Sequence, residues 1–72
     1  MLNDRDTLIL AWVGRDKKTY QEVADNLSVG KSTVKRAVFR LRDNGFLSEP
    51  KKKGAAKAWT LTEKAILLLS SS

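Results

Sequence analysis

One tract constrains this chain more than any other: residues 19–45, TYQEVADNLSVGKSTVKRAVFRLRDNG. Thr19 and Glu22 stand at the spacing of a capping box, in which the threonine hydroxyl accepts from the backbone of Glu22 and the glutamate reaches back to Thr19. They open a short helix to about residue 27, with Val23, Ala24 and Leu27 on one face. Ser28, Val29 and Gly30 make a three-residue turn, Gly30 being a tolerable cap for the next helix. That longer helix runs over 31–43, where Val34, Ala37, Val38 and Leu41 recur at i, i+3, i+4 and i+7 as one apolar stripe. Asn44-Gly45 stops it, glycine supplying the left-handed conformation that helix ends favour.

The flanks complete one domain over 1–72. A first helix is expected over about 4–15: Asn3 or Asp4 caps it, Asp4 and Asp6 suit its positive end, and Leu8, Ile9, Trp12 and Val13 keep helical spacing. Gly14 and the polar run 15–18 end it. Beyond Gly45, Phe46-Leu47-Ser48 reads as a strand, residues 50–56 as a polar tip, and residues 58–61 as the returning strand. Thr62-Glu63 begins a last helix, 62–70. The fold class is therefore α+β and mostly helical, with a three-helix core, a two-stranded hairpin over 46–61 and a C-terminal helix.

Composition removes several classes of function. With 72 residues the core is thin, since such a domain hides only about 60% of its unfolded surface. There is no cysteine and no histidine, so disulfides, thiolate ligands and imidazole bases are excluded. The eight carboxylates (Asp4, Asp6, Asp16, Glu22, Asp25, Asp43, Glu49 and Glu63) are scattered, mostly at helix ends or caps. No nucleophile–base pair or metal cluster emerges; an enzyme, a cofactor and a metal site are not expected. No apolar run approaches the roughly 20 residues that span a bilayer, and the start MLNDRD lacks a basic-then-apolar leader. A soluble, cytoplasmic protein is expected. The expectation is a small complete protein or one domain cut from a longer one, with Met1 favouring a native start.

The net charge of +6 is one-sided. Residues 1–27 sum to −1 and residues 62–72 to zero, whereas residues 28–61 hold nine basic and two acidic side chains. Such a concentration is an electrostatic footprint for a polyanion.

Gly30-Lys31-Ser32-Thr33 raises a specific question, because it matches the end of a phosphate-binding loop. That loop needs G-x-x-x-x-G-K-[ST] after a buried strand. Its first glycine would fall at position 25, which is Asp25, and the preceding residues are helical in pattern. A nucleotide-binding loop is rejected. A short helix, a tight turn and a longer helix instead make a helix-turn-helix, whose second helix enters the major groove of DNA. With the Val34–Leu41 stripe inward, Ser32, Arg36 and Phe39 point outward, flanked by Thr33 and Arg40 on one side and Lys35 and Arg42 on the other. Lys31, Ser32, Thr33, Lys35 and Arg36 are the candidate base readers: arginine offers two hydrogen bonds to guanine, and Ser or Thr serves several bases. For Phe39 three environments stay open: a thymine methyl, a partner, or the core.

The stretch TYQEVADNLSVGKSTVKRAVFRLRDNGFLSE resembles the winged helix-turn-helix of bacterial, archaeal and phage regulators and is similar to the GntR-like and MarR-like groups. The likeness is carried by Val23-Ala24, Leu27-Ser28-Val29, Ser32-Thr33-Val34, Arg36, Leu41 and Asn44-Gly45-Phe46-Leu47, with AWTLTEKA resembling the last wing strand and the helix after it. Where those families usually place glycine after LT-E-K, this chain has Ala65. The resemblance implies that the hairpin is a wing whose tip meets flanking DNA. Lys51, Lys52, Lys53 and Lys57 would then hold phosphates, positioning without specifying. Larger members carry a ligand-sensing domain; none is present, so no small-molecule ligand is expected.

Thr19, Tyr20, Gln21 and Arg40 complete the candidate backbone contacts, with a packing role as the alternative for Tyr20. Trp12 and Trp59 are read as core. The runs 8–13 and 65–69 are apolar all round, more than a small monomer needs to bury. Leu8, Trp12, Ile66, Leu67 and Leu69 are accordingly the candidate surface of a homodimer, with the alternative that the terminal helices cover each other. The function expected is a sequence-specific double-stranded DNA-binding regulator, most simply a repressor. A plasmid or phage replication, partition or excision factor and a protein-interaction module are the alternatives.

Overall fold

The computed structural model describes residues 2–51 and 58–71. Four helices and a two-stranded antiparallel hairpin come in the order α1 (Asp4–Leu10), a π-helical turn (Ala11–Arg15), α2 (Tyr20–Leu27), α3 (Lys31–Asp43), β1 (Leu47–Ser48), β2 (Thr60–Leu61) and α4 (Glu63–Ser70). The protein is thus mostly helical α+β. Among the described residues no helix is long and apolar enough to cross a membrane.

Local chemistry accounts for most of these boundaries. Asn3 is the cap of α1, its Oδ1 accepting from the Asp6 N–H at 2.7 Å. The box at Thr19 is complete: Glu22 N–H donates to Thr19 Oγ1 at 3.2 Å and Thr19 N–H to Glu22 Oε1 at 2.9 Å. Thr62 caps α4 through the Ala65 N–H and also donates its hydroxyl to the Gly45 carbonyl at 2.6 Å. Lys64 Nζ donates to the Asn44 carbonyl at 2.8 Å, placing a cation at the negative end of α3. Two contacts from α4 therefore close the C-terminus of the long helix.

The core unites all three N-terminal helices with the hairpin. Ile9, Leu10, Val13, Val23, Ala24, Val34, Ala37, Val38, Leu41, Leu47, Trp59 and Ala65 form one buried cluster. The α3 stripe is fully inward, and Trp59 is buried as expected. In the sheet, Leu47 pairs with Leu61 and Ser48 with Thr60. The hairpin is shorter than its sequence suggests: Phe46, Ala58 and Trp59 lie outside the strands.

The first helix departs from its expected form. It does extend over 4–15, but its last five residues are π-helical. Gly14 is no exposed terminator. It is buried inside that turn, and a Cβ there would stand 2.9 Å from Leu61 Cγ and 3.1 Å from Leu47 Cδ2. The Leu61 and Leu47 side chains of the hairpin rest directly on the backbone of that turn, so a side chain at position 14 would require them to shift. In the α2–α3 turn Gly30 caps α3 as expected, with an extended backbone (φ −74°), and the left-handed residue is Ser28 (φ 56°).

Candidate nucleic-acid interface

The site is the outer face of α3 with the ends of the elements around it. Because Val34, Ala37, Val38 and Leu41 fill the inner face, helical geometry sends the remaining side chains outward. Lys31, Ser32, Lys35 and Arg36 are exposed and Thr33 is half-buried. Among the described residues none forms a hydrogen bond or ion pair with the side chains of Lys31, Ser32 or Arg36. The first two turns of α3 thus present three cations and two hydroxyls with no acidic neighbour in sequence between Asn26 and Asp43.

The second half of that face is different. Arg40 places Nη2 3.3 Å from both carboxylate oxygens of the buried Asp6, so its charge is shared with α1. Arg42 pairs with Asp43 at 3.1 Å and with Glu49 at 3.4 Å. Phe39 remains 41% exposed, with the Arg42 guanidinium 5.1 Å from its ring centre and the Trp59 ring 6.3 Å away. Among the described residues its ring neighbours are Arg42 and the tilted ring of Trp59. Free cationic charge is therefore graded toward the N-terminus of α3.

At the start of α2, Thr19 is occupied by its capping box and Gln21 donates to Asp25 Oδ1 at 2.8 Å. Tyr20 is half-buried, and its hydroxyl accepts the Trp59 indole N–H at 2.7 Å. Lys35 Nζ lies 6.0 Å from the Tyr20 ring centre. Lys17, left-handed at φ 59°, donates its Nζ to the Trp59 carbonyl. Sequence reading missed this junction. Tyr20 and Trp59 are 39 residues apart, and no local pattern marks a contact at that separation.

On the hairpin, Lys51 is exposed; Lys52, Lys53 and Lys57 lie outside the described residues. The candidate dimer residues divide. Leu8, Ile66 and Leu67 are exposed at 44%, 50% and 64%. Trp12 and Leu69 are half-buried against their own core.

Comparison with protein-family models, with curated proteins and with solved structures gives no match. The function of the chain is therefore to be sought in its own geometry.

Proposed function

We propose that this protein is a winged helix-turn-helix that binds double-stranded DNA sequence-specifically, as a cytoplasmic transcriptional regulator acting by occupancy of an operator. The observation that carries the reading is the division of α3 into two faces. One is sealed into the core; the other opens with Lys31, Ser32, Lys35 and Arg36 exposed and free of acidic partners. A face of this kind, on the second helix of a helix–turn–helix pair, matches what the major groove admits.

In this reading α3 lies in the groove N-terminal end first. Arg36 reaches a guanine O6 and N7 with its two-pronged guanidinium, an interaction worth roughly 1–3 kcal/mol of discrimination. Ser32 and Thr33 donate or accept at neighbouring base edges, and Lys31 and Lys35 meet acceptor edges or the adjoining phosphates. The hairpin acts as the wing, with Lys51, Lys52, Lys53 and Lys57 on the flanking backbone. Leu8, Ile66 and Leu67 supply a two-fold interface, which would set two reading helices on half-sites about one turn apart.

The test compares wild type with Arg36→Ala on a duplex enriched from a randomised pool and on an unrelated duplex. A loss of roughly 1–3 kcal/mol confined to the enriched duplex, with relaxed preference at one base pair, supports the reading. An equal loss on both makes Arg36 a phosphate contact, and no loss on either removes α3 from the interface.

A further inference from the structure

The Tyr20–Trp59 bond has a chemical consequence for the interface. A phenol offers one proton and two acceptor positions. The indole N–H of Trp59 can only donate, and at 2.7 Å it occupies one acceptor position of the Tyr20 oxygen. Among the described residues the Tyr20 proton has no acceptor. Trp59 is itself 2% exposed, held by the core around its ring and by Lys17 at its carbonyl, so the donor that fixes the phenol is itself fixed. A hydroxyl that accepts one hydrogen bond becomes a stronger donor in the next. The Lys35 ammonium beside the ring adds positive charge at the same place.

We propose that Tyr20 is a phosphodiester-binding residue whose hydroxyl donates to a backbone phosphate and is oriented for it by Trp59, which acts as a positioning residue through it. The inference rests on the DNA-binding reading and deepens it. It assigns one backbone phosphate to the junction of α2, Lys35 and the root of the wing, and it makes Trp59, just before β2, part of the phosphate site without touching DNA. A neutral hydroxyl releases no counterion on binding, so this contact adds affinity without adding to the salt dependence. Lys35 at the same phosphate adds to both.

The experiment uses the full chain and a duplex carrying single methylphosphonate substitutions, each of which removes one phosphate charge. Tyr20→Phe is expected to bind about tenfold more weakly or worse, tenfold being close to the low end for a hydrogen bond to a charged group, with an unchanged slope of affinity against salt. One methylphosphonate position should weaken wild type by more than about tenfold and weaken Tyr20→Phe by a smaller factor, because Lys35 loses its phosphate charge in both while only wild type also loses the tyrosine hydrogen bond. Tyr20 is the single tyrosine of the chain, so incorporation of 3-fluorotyrosine gives one fluorine resonance. That resonance should shift on saturation with duplex, and shift less with the sensitive methylphosphonate. This second readout holds even if Tyr20→Phe fails to fold. Wild-type affinity in a folded Tyr20→Phe, or an unmoved fluorine resonance in the saturated complex, overturns the proposal while leaving DNA binding intact. Absence of any DNA binding by wild type overturns the function itself.

Discussion

The Arg40 guanidinium stands 3.3 Å from both oxygens of the Asp6 carboxylate, tying α3 to α1. The Asp6 side chain is 9% exposed and that of Arg40 55%, so the acid depends on the arginine more than the reverse. Arg40→Ala leaves a buried carboxylate without its cation and should cost about 1–2 kcal/mol, a figure moderated by the exposure of the arginine. Its effect on the salt dependence of DNA binding should fall well below the ~0.9 log unit per log unit of a cation that meets a phosphate freely. Lys31→Ala is the converse: stability unchanged, slope reduced. Thermal unfolding and salt-dependent DNA titration of the two variants check the pair.

Gly14 makes a packing prediction. A methyl group there meets the side chains of Leu61 and Leu47 at distances that force them to shift. Gly14→Ala should destabilise by roughly 1–3 kcal/mol, the range of an overpacked core. Combining it with Leu61→Ala should cost less than the sum of the two single changes, because shortening Leu61 vacates the space that the methyl needs. Denaturant unfolding of the four proteins in the cycle measures this.

Ser28 holds a left-handed backbone that costs a residue with a Cβ about 1–2 kcal/mol. Its side chain is exposed and makes no hydrogen bond among the described residues. Ser28→Gly should raise stability by up to about 1 kcal/mol, part of the gain being offset by a more flexible unfolded chain. Ser28→Val should lower it. Melting temperatures of both variants test the assignment of the turn.

The α2–turn–α3 segment and the exposed cationic face of α3 were legible because local rules set them. A capping box, an i, i+3, i+4, i+7 stripe and an Asn-Gly stop act over a few residues, and the observed α2 and α3 keep those limits. Gly14 misled for a physical reason. Its missing side chain serves a long-range contact with Leu61, and sequence alone shows only a residue that weakens helices. The π-helical turn has no periodic signature over five residues, so a continuous helix was the natural expectation. Serine gives little sign of a left-handed backbone, so the conformation of Ser28 had no local signal. The Trp59–Tyr20 and Asp6–Arg40 contacts were hidden because each depends on how distant elements meet.

Leu67 addresses assembly. At 64% exposure it contributes little to the protomer's own core, so Leu67→Glu should change stability by no more than about 0.5 kcal/mol. If α4 pairs across a two-fold axis, wild type sediments as a dimer and the variant as a monomer at the same concentration. A wild type that remains monomeric at high concentration removes the dimer and leaves a protein that reads one half-site.

The most direct measurement is selection from a randomised duplex pool at near-physiological salt, with sequencing of the bound fraction. Enrichment of a defined site is predicted, in the form of an inverted repeat with half-sites about one turn apart, together with loss of preference at one base pair for Arg36→Ala. A pool that stays random, with weak binding to every duplex that vanishes as salt rises, would mean that the α3 face attracts DNA without reading it and would contradict the account.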